Sequence, residues 1–399
     1  MARGINDILT DRRVLDWGDK ILTLEPDATP LVVLSKKLGK EKADNQKYIN
    51  FEDRPYTRWF YCDTPTGDPL TKLTLELTSG GGENVAAAAY IQVRDLLYCP
   101  EKDHTMIVTG VNTGNGEVTV TEQYAGQGEG GSDGRVYNSG DTSSDTHAPP
   151  VAQDRIVKMS NVYPNGGVSA TAHALALTSV YNFIQKFQLA FDLDEETMIA
   201  ELEGGPELKR LQGRKAVEHL KNLEYQFLLG DRDARLEGGK MIYTTAGLYH
   251  SGLTTDTVAT ADFNETAFRS FLRSGFGDEM SKRKLLIAGG QVVEAIDAWA
   301  MGRLVINDKL SATLGMEVPA YKTTFGTVDI VYHPLLKNSF EGWAFLLDMN
   351  YIKYKKYGPD TELQTALQAN DAQERKDQYL TRCGFKISLL ETHRMLKVT

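Results

Sequence analysis

The chain has 399 residues, of which 41% are apolar and 25% are charged, a composition typical of a globular protein with more than one domain. Its formal net charge of -10 argues against a general nucleic-acid binder, because binding to phosphates needs clustered Lys and Arg. No apolar run reaches the roughly 18 residues of a membrane span, and the first twenty residues carry charges throughout, unlike a secretory signal. The cysteines Cys62, Cys99 and Cys383 are widely spaced and odd in number, which indicates reduced thiols.

Residues 1–50 carry apolar side chains in short clumps, and Pro26 and Pro30 interrupt them, so no long helix is predicted. Two interpretations stay open: a strand and a helix packed on their own domain, or an arm that lies on a neighbouring subunit. A basic run is formed by Lys36, Lys37, Lys40 and Lys42. Residues 1–45 nevertheless hold eight Lys and Arg against eight Asp and Glu, so the segment is neutral and is not an RNA-binding tail.

Residues 66–145 are rich in short β runs that turns separate. The runs are Leu70–Leu77, Tyr90–Tyr98, Thr105–Val111 and Gly116–Glu122. Residues 117–121 alternate between polar and apolar, which predicts a half-exposed strand, and Asn115-Gly116 between two runs predicts a hairpin turn. We therefore predict a small β-sandwich or barrel inserted into the main fold, followed by a long surface loop over Gly126–Pro150.

One long helix is the clearest element of the chain. Before it, Thr171–Leu193 is predicted to be extended, and Asp194 is a candidate cap for a helix whose first turn is acidic. The long helix begins at Pro206, where proline suits the first turn, and its apolar residues recur at helical spacing as far as Leu229. At about 1.5 Å per residue it is about 35 Å long, and Gly230 ends it.

Residues 245–399 begin with an α/β pattern in which helices alternate with strands. The predicted helices are Glu265–Leu272 and Gln291–Arg303, and the predicted strands are Lys284–Ala288 and Gln378–Leu389. Two long β runs, Val318–His333 and Trp343–Tyr357, are expected to return to the domain of the long helix. The sequence has no internal repeat and no coiled-coil heptad pattern.

The sequence contains no local motif for metal or nucleotide chemistry. No two of its seven histidines lie within five residues of each other, and the H-E-x-x-H, C-x-x-C and P-loop patterns are absent. His219 on the long helix is therefore interpreted as a surface or packing residue. Asp231–Arg235 begins like a calcium loop, but Arg235 and Leu236 stand where an acid or amide and then a glycine are needed.

One literal match to a catalytic pattern occurs in a glycine-rich stretch. Gly130–Gly134 fits the nucleophile elbow G-x-S-x-G, but that elbow needs a buried strand before it and a helix after it, and neither flank has such a pattern. An acidic cluster is formed by Asp192, Asp194, Glu195 and Glu196. It is able to attract a divalent ion, but a helix N-terminus explains it without one. We therefore predict no catalytic, cofactor-binding or metal-binding residues and no enzymatic activity.

Several stretches resemble one family of shell proteins. They are Ala216–Gly230, Thr244–Leu248, Lys284–Trp299, Phe325–Val331 with Trp343–Ile352, and Asp360–Ile387. Asp360–Ile387 is the most specific, with its Leu-Gln, Gln-Ala-Asn-Asp and Gly-hydrophobic order, although Arg382 and Cys383 stand where an acidic and then a small residue are typical. On these residues the chain resembles the major capsid proteins of tailed double-stranded DNA phages with the Hong Kong 97 (HK97) fold, in a subfamily whose E-loop region carries a small β domain.

The resemblance implies an α+β fold with four parts and one insertion. The parts are an N-arm at 1–60, an E-loop region at 61–200 with a β-sandwich or barrel inserted at about 66–145, a P-domain at 201–244 and 326–399 with a spine helix at about 206–229, and an A-domain at 245–325. The β insertion is expected on the outer surface, between capsomers. Deletion of residues 1–40 is expected to block shell assembly and to leave a soluble α/β core.

The resemblance also implies a structural function. The chain would self-assemble into hexamers and pentamers of an icosahedral shell, and the shell would enclose phage double-stranded DNA without sequence-specific binding. Portal, scaffold or decoration proteins would be its further partners. It would be made in the host bacterial cytoplasm, end in the virion and have no membrane contact. Two alternatives stay open: an encapsulin-like nanocompartment shell protein, and a hydrolase or carbohydrate-binding enzyme that uses the β module.

Overall fold

The computed structural model describes ten ranges of the chain. They are residues 30–53, 57–66, 70–102, 104–122, 150–165, 177–200, 206–277, 281–300, 304–306 and 319–399. The expected elbow at Gly130–Gly134, most of the expected loop Gly126–Pro150 and residues 1–29 of the expected arm lie outside them. The chain divides into two compact units: Asp53–Thr178 forms one, and the residues on either side of it form the other.

The helices and strands follow in chain order, with short 3-10 turns left out. They are α1 (Pro30–Leu38), β1 (Lys40–Lys42), β2 (Lys47–Glu52), β3 (Trp59–Thr66), β4 (Lys72–Glu76), α2 (Asn84–Ala88), β5 (Asp95–Cys99), β6 (His104–Asn112), β7 (Glu117–Glu122), β8 (Arg155–Asn161), β9 (Thr178–Phe183), β10 (Gln185–Asp194), α3 (Glu195–Ile199), α4 (Glu207–Leu229), β11 (Asp233–Glu237), β12 (Lys240–Thr244), β13 (Thr254–Val258), α5 (Glu265–Gly275), β14 (Arg283–Ala288), α6 (Gly290–Ala300), β15 (Leu304–Ile306), β16 (Pro319–Lys322), β17 (Thr327–Tyr332), β18 (Trp343–Leu347), β19 (Ile352–Gln364), β20 (Glu374–Ile387) and β21 (Arg394–Val398). This mixture confirms the expected α+β class.

The unit Asp53–Thr178 contains a closed barrel of six strands in the order β3-β4-β7-β6-β5-β8, with β8 pairing back to β3. Every pairing is antiparallel, so alternate residues of each strand face the interior. The interior holds Phe60, Leu75, Leu97 and Val108, all fully buried. A barrel has no open edge, so closure satisfies the backbone of every strand.

The barrel is larger than the insertion predicted at 66–145. It begins at Trp59 and ends at Asn161, because closure requires β8 to join β3 and β5. The predicted hairpin turn is confirmed, since Gly116 adopts a φ of +73° between β6 and β7. The predicted run Tyr90–Tyr98 is a strand only from Asp95, because Arg94 has a φ of +78°, which a continuous strand does not allow.

The second unit contains a four-stranded sheet in the order β1-β19-β20-β10. Its long strands β19 and β20 are antiparallel, with an irregularity between Lys356 and Thr361 where Gly358 has a φ of +79°. The predicted long helix is confirmed as α4, which follows Pro206 and ends before Gly230. It packs on this sheet through Phe227, whose ring centroid lies 4.8 Å from that of Phe385.

A seven-stranded mixed sheet completes the second unit in the order β13-β21-β18-β14-β17-β16-β15. Leu286 and Ala288 of β14 belong to the core that also holds buried residues of α5 and α6. Leu285 and Ile287, which alternate with them, belong to the core that also holds Phe227 of α4. The central strand β14 is therefore buried on both faces, as the continuous apolar run of its residues indicates.

Two predicted β runs differ from the structure. Val318–His333 contains two strands, β16 and β17, and Trp343–Tyr357 is divided by a 3-10 turn between β18 and β19. β17 and β18 pair with β14 in the seven-stranded sheet, within the same compact unit as α4. The physical reason is burial: four of the five residues of β18 are buried, so this strand needs cover on both faces.

The segment 30–52 belongs to the same compact unit as α4. Pro30 begins α1 rather than interrupting a helix, as suits a residue without an N–H group in the first turn. Leu31, Val32 and Leu34 are almost fully buried in the core that holds Phe227. At least this part of the expected N-arm therefore packs on its own subunit.

Candidate assembly surfaces and buried polar clusters

The described histidines serve packing and hydrogen bonding. His219 is buried, its Nε2 lies 2.8 Å from Thr381 Oγ1, and its ring stacks on Tyr379, so the packing interpretation is confirmed. Burial, with a smaller effect of the Lys36 charge, lowers the pKa of His219 to about 4. Burial also lowers the pKa of His393 to about 4. Both rings are therefore neutral in the folded subunit near pH 7.

Glu224 is a fully buried carboxylate that the sequence analysis did not identify. It accepts hydrogen bonds from the backbone N–H groups of Leu31 and Val32, and His333 Nε2 lies 2.7 Å from its Oε1. A signal for it exists in the sequence, because Glu224 lies within the apolar stripe of α4, three residues before Phe227. Its partners are 109 to 193 residues away and have no such local signal.

Two lysines of the basic run, Lys36 and Lys40, are paired with an acid of their own subunit. Lys36 and Lys40 lie 3.2 Å and 2.7 Å from the Asp360 carboxylate of β19, and Tyr354 donates its hydroxyl to the same group. Burial raises the pKa of Asp360, but the hydrogen bond from Lys40 and the charge of Lys36 outweigh it and hold that pKa below its usual value. These charges are therefore used for intramolecular packing.

A small cavity of about 70 Å³ in the second unit is too small for a substrate of ordinary size. His250 and Ser251 line it, but neither is arranged as a nucleophile with its base. His250 Nδ1 lies 2.9 Å from the Leu229 carbonyl oxygen, and Ser251 Oγ donates to the Gly247 carbonyl oxygen. The geometry offers this pair no route to acyl-transfer chemistry.

One group in the barrel has a donor set that suits a metal. Single ligand atoms of Cys99, Glu101 and Asp154 lie within 4.8 Å of one another. Both carboxylates already accept backbone hydrogen bonds, from the N–H groups of Arg155 and Val151. Burial raises the pKa of Cys99, which opposes formation of the thiolate that would bind a metal.

Two acidic sequence features have structural roles. The stretch resembling a calcium loop forms the start of β11, and the Asp231 side chain accepts a hydrogen bond from the N–H group of Arg232. The predicted helix after Asp194 is confirmed as α3, but it has only five residues, and the Asp194 side chain makes no capping hydrogen bond. The acidic cluster covers the end of β10 and the first turn of α3.

The β2–β9 ribbon exposes an apolar face. The side chains of Ile49 and Phe51 are 49% and 72% exposed and follow each other on one side of β2. Lys47, on the same side, lies over the ring of Tyr181 at 4.4 Å, and Arg232 lies over that ring at 4.0 Å. Such a continuous apolar and cationic surface is typical of a contact site.

The β11–β12 hairpin is a second exposed ribbon. Leu236 and Met241 are directly opposite each other and are 68% and 50% exposed. Gly238 and Gly239 connect the strands with φ angles of +56° and +76°, which define a tight turn of the type that hairpins prefer. A two-stranded sheet is only marginally stable alone, so an exposed apolar pair on it indicates a partner surface.

A family model described as SU10 major capsid protein matches residues 5–399. The chain belongs to the SU10 major capsid protein family. This assignment confirms the resemblance to phage major capsid proteins drawn from the sequence. No match was found among the curated proteins.

Several solved shell structures are similar to this member of the family. The capsid of Myoviridae phage XM1 is 14% identical with a TM-score of 0.42, over 59% of this chain and 81% of that one. The structure of Mycobacterium phage Patience is 10% identical with a TM-score of 0.41, over 61% and 76%. An encapsulin complex from Synechococcus elongatus is 9% identical with a TM-score of 0.37, over 55% and 77%.

Membership in this family makes the chain a structural shell protein that self-assembles into an oligomeric capsid. The exposed ribbons agree with that role, because a subunit of a large assembly needs contact surfaces more than a pocket. In the described part of the chain, no helix is long and apolar enough to cross a membrane.

Proposed function

We propose that this chain assembles into hexamers and pentamers of an icosahedral shell that encloses phage double-stranded DNA. The observation that carries the proposal is the pair of exposed apolar ribbons, because a lone subunit would leave Phe51 and Leu236 in water. Contacts around a ring are heterologous, so each ribbon meets a different surface of the next copy. Many such contacts per subunit give a shell that is kinetically stable.

We assign the parts of the subunit as the resemblance implies, with boundaries refined by the packing. The P-domain contains α4 as the spine helix, the E-loop region contains the barrel, and the A-domain lies within residues 245–325. The N-arm is restricted to residues before Pro30, since α1 is buried on its own subunit. The barrel is assigned to the outer surface between capsomers, where its exposed Trp59 and Met159 would meet a neighbour or a decoration protein.

The proposed role is not enzymatic. The wall needs no sequence-specific DNA contact, and a net charge of -10 keeps it from adhering to packaged phosphates. Portal and scaffold proteins are the further partners in this proposal. The subunit is made in the host bacterial cytoplasm and functions in the virion.

Electron microscopy of the purified full-length chain tests the proposal. We expect closed shells, and a population of discrete monomers would refute it. Shells that hold an enzyme instead of DNA would favour the encapsulin-like alternative. A monomer that hydrolyses or binds a carbohydrate through the barrel would favour the other alternative, an enzyme that uses the β module.

Substitutions on the two ribbons test whether their exposed apolar side chains form subunit interfaces. Phe51→Ser and Leu236→Ser remove exposed apolar surface, so the free energy of unfolding of the subunit should change by less than about 0.5 kcal/mol. Shell yield should fall strongly, because the interface loses its apolar contact. The matched controls Phe51→Leu and Leu236→Met keep the apolar surface and should assemble. Normal shells from both serine variants would show that the ribbons are not interfaces.

A further inference from the structure

The first turn of α1 is capped by the buried carboxyl group of Glu224. Leu31 N–H donates to Glu224 Oε1 at 2.8 Å, and Val32 N–H donates to Glu224 Oε2 at 2.7 Å. The first N–H groups of a helix have no partner within the helix, and they form the positive end of its dipole. A carboxylate placed there satisfies both groups and is stabilised by them. Glu224 on α4 therefore acts on α1 as a capping residue supplied by another element.

His333 completes this site. Its Nδ1 accepts a hydrogen bond from the Leu335 N–H group at 3.2 Å, so the ring proton is on Nε2 and donates to Glu224 Oε1 at 2.7 Å. Glu224 thus accepts three hydrogen bonds, two from α1 and one from His333. Without α1 it would keep only the bond from His333. A side chain that loses two hydrogen-bond donors without full access to water is unfavourable.

Ion pairs hold the last turns of α1 and the start of β1. Lys36 and Lys40 both contact the Asp360 carboxylate of β19. A single residue, Gly39, separates α1 from β1, and β1 pairs in parallel with β19 of the same chain. This short connection prevents α1 from moving to another copy unless β1 also leaves its sheet. The docking site and the helix that fills it therefore belong to one subunit.

We propose that Glu224 and His333 form a receptor for the N-terminus of α1, with Glu224 as the positioning residue. Filling the receptor fixes Pro30 as the point at which residues 1–29 join the subunit, and shell assembly requires the filled receptor. The part of this inference that concerns assembly rests on the proposed function. In the released form α1 leaves α4, while the barrel, which has a core of its own, keeps its structure.

Hydrogen exchange on unassembled full-length subunits tests the receptor. Glu224→Gln keeps the size of the side chain but places an amide NH2 where an acceptor is needed, and Glu224→Leu removes every acceptor. We expect amide exchange over residues 30–38 to be at least tenfold faster in both variants. Exchange in β6 and β7 of the barrel, which have a core of their own, should be unchanged. Glu218→Gln is the matched control, since Glu218 lies on the same helix and pairs only with Lys215 among the described residues.

Three results would overturn the inference. Unchanged exchange in α1 of Glu224→Gln would show that the carboxylate does not hold the helix. Equal loss of protection in α1, β6 and β7 would show that Glu224 supports the whole fold instead. Normal shells from a variant with released α1 would show that assembly does not require α1 to be docked on Glu224. If the wild-type chain forms no shells, the proposed function fails, while exchange in α1 still decides whether the receptor exists.

A measurement on the wild-type chain tests the inference even if the variants do not fold. Under native conditions, α1 should exchange through a local opening that is at least tenfold more frequent than the opening of β14. Asp360→Asn should increase the opening of α1 further, because it weakens the contacts of Lys36 and Lys40 at the other end of the helix. Identical opening of α1 and β14 in the wild-type chain would contradict a separately releasable helix.

Discussion

His393 is one residue that makes the stability of the subunit depend on pH. Its Nδ1 accepts a hydrogen bond from the Asp348 N–H group at 3.0 Å, and its Nε2 lies 3.3 Å from the Ser388 carbonyl oxygen. A proton added at Nδ1 would therefore face another N–H group. Burial lowers the pKa of the folded ring to about 4, whereas an unfolded histidine titrates near 6.5.

The direction of the pH effect follows from these two values. The unfolded chain binds the proton first, so the contribution of His393 to stability is complete above about pH 6.5 and is lost as the pH falls towards 4. Between pH 7 and pH 5 we expect the free energy of unfolding to fall by about 1–2 kcal/mol on account of this residue. His393→Asn keeps an acceptor but does not titrate, so its urea unfolding should depend less on pH. Parallel pH curves for the two proteins would contradict this account.

Phe227 anchors the helix α4 to the four-stranded sheet. It is fully buried, and its ring contacts those of Phe385 and Tyr354. Phe227→Ala should lower the free energy of unfolding by about 3–5 kcal/mol in urea titrations. Tyr225→Ala on the same helix is the control, because Tyr225 is exposed and its loss should cost less than about 0.5 kcal/mol. Similar losses at both sites would mean that α4 is not anchored through its apolar face.

At the scale of elements, α1 separates the arm from the core. The sequence alone predicts that deletion of residues 1–40 leaves a soluble core, but that deletion removes the buried Leu31, Val32 and Leu34. The reference for this test is a chain that begins at Pro30 and keeps α1. Relative to it, deletion of 1–38 should lower the melting temperature of the unassembled subunit by about 10 °C or more, because several buried side chains and the donors to Glu224 are lost. Equal melting temperatures would contradict the inclusion of α1 in the core.

The barrel is expected to fold by itself. It has a closed ring of strands and its own buried core, and the strands β2 and β9 that flank it are hydrogen-bonded neighbours. An excised chain of residues 53–178 should therefore unfold cooperatively on heating. Leu75→Ala in that chain should cost about 2–5 kcal/mol, since Leu75 is fully buried in the barrel. An excised chain without a cooperative transition would show that the barrel depends on the second unit.

At the scale of the whole molecule, the negative net charge is expected to keep the subunits from binding DNA. With a net charge of -10 the subunits should not retard a short DNA duplex in a gel at about 150 mM salt. A control variant replaces the acidic cluster Asp192, Asp194, Glu195 and Glu196 by Lys. It loses most of the net negative charge and should retard DNA more. Strong retardation by the wild-type chain would contradict the proposal of a wall that does not adhere to its contents.

Local signals predicted elements well and pairings less well. The helix α4 follows from Pro206, Gly230 and apolar spacing, all of which act within a few residues. The barrel was predicted too short, because β8 pairs with β3 across almost a hundred residues. Glu224 was missed for the same reason, since its partners at Leu31 and His333 are remote in the sequence.

The amino-acid sequence by itself determined the α+β class, the long helix α4, the acidic charge and the resemblance to phage capsid subunits. Periodicity, turn residues and composition carry that information, because they depend on neighbours along the chain. Only the tertiary structure decided that the barrel closes through β8, that β17 and β18 join the seven-stranded sheet, and that α1 docks on Glu224. Those outcomes depend on which distant faces bury each other, because a strand or a buried charge is stable only with the partner that covers it.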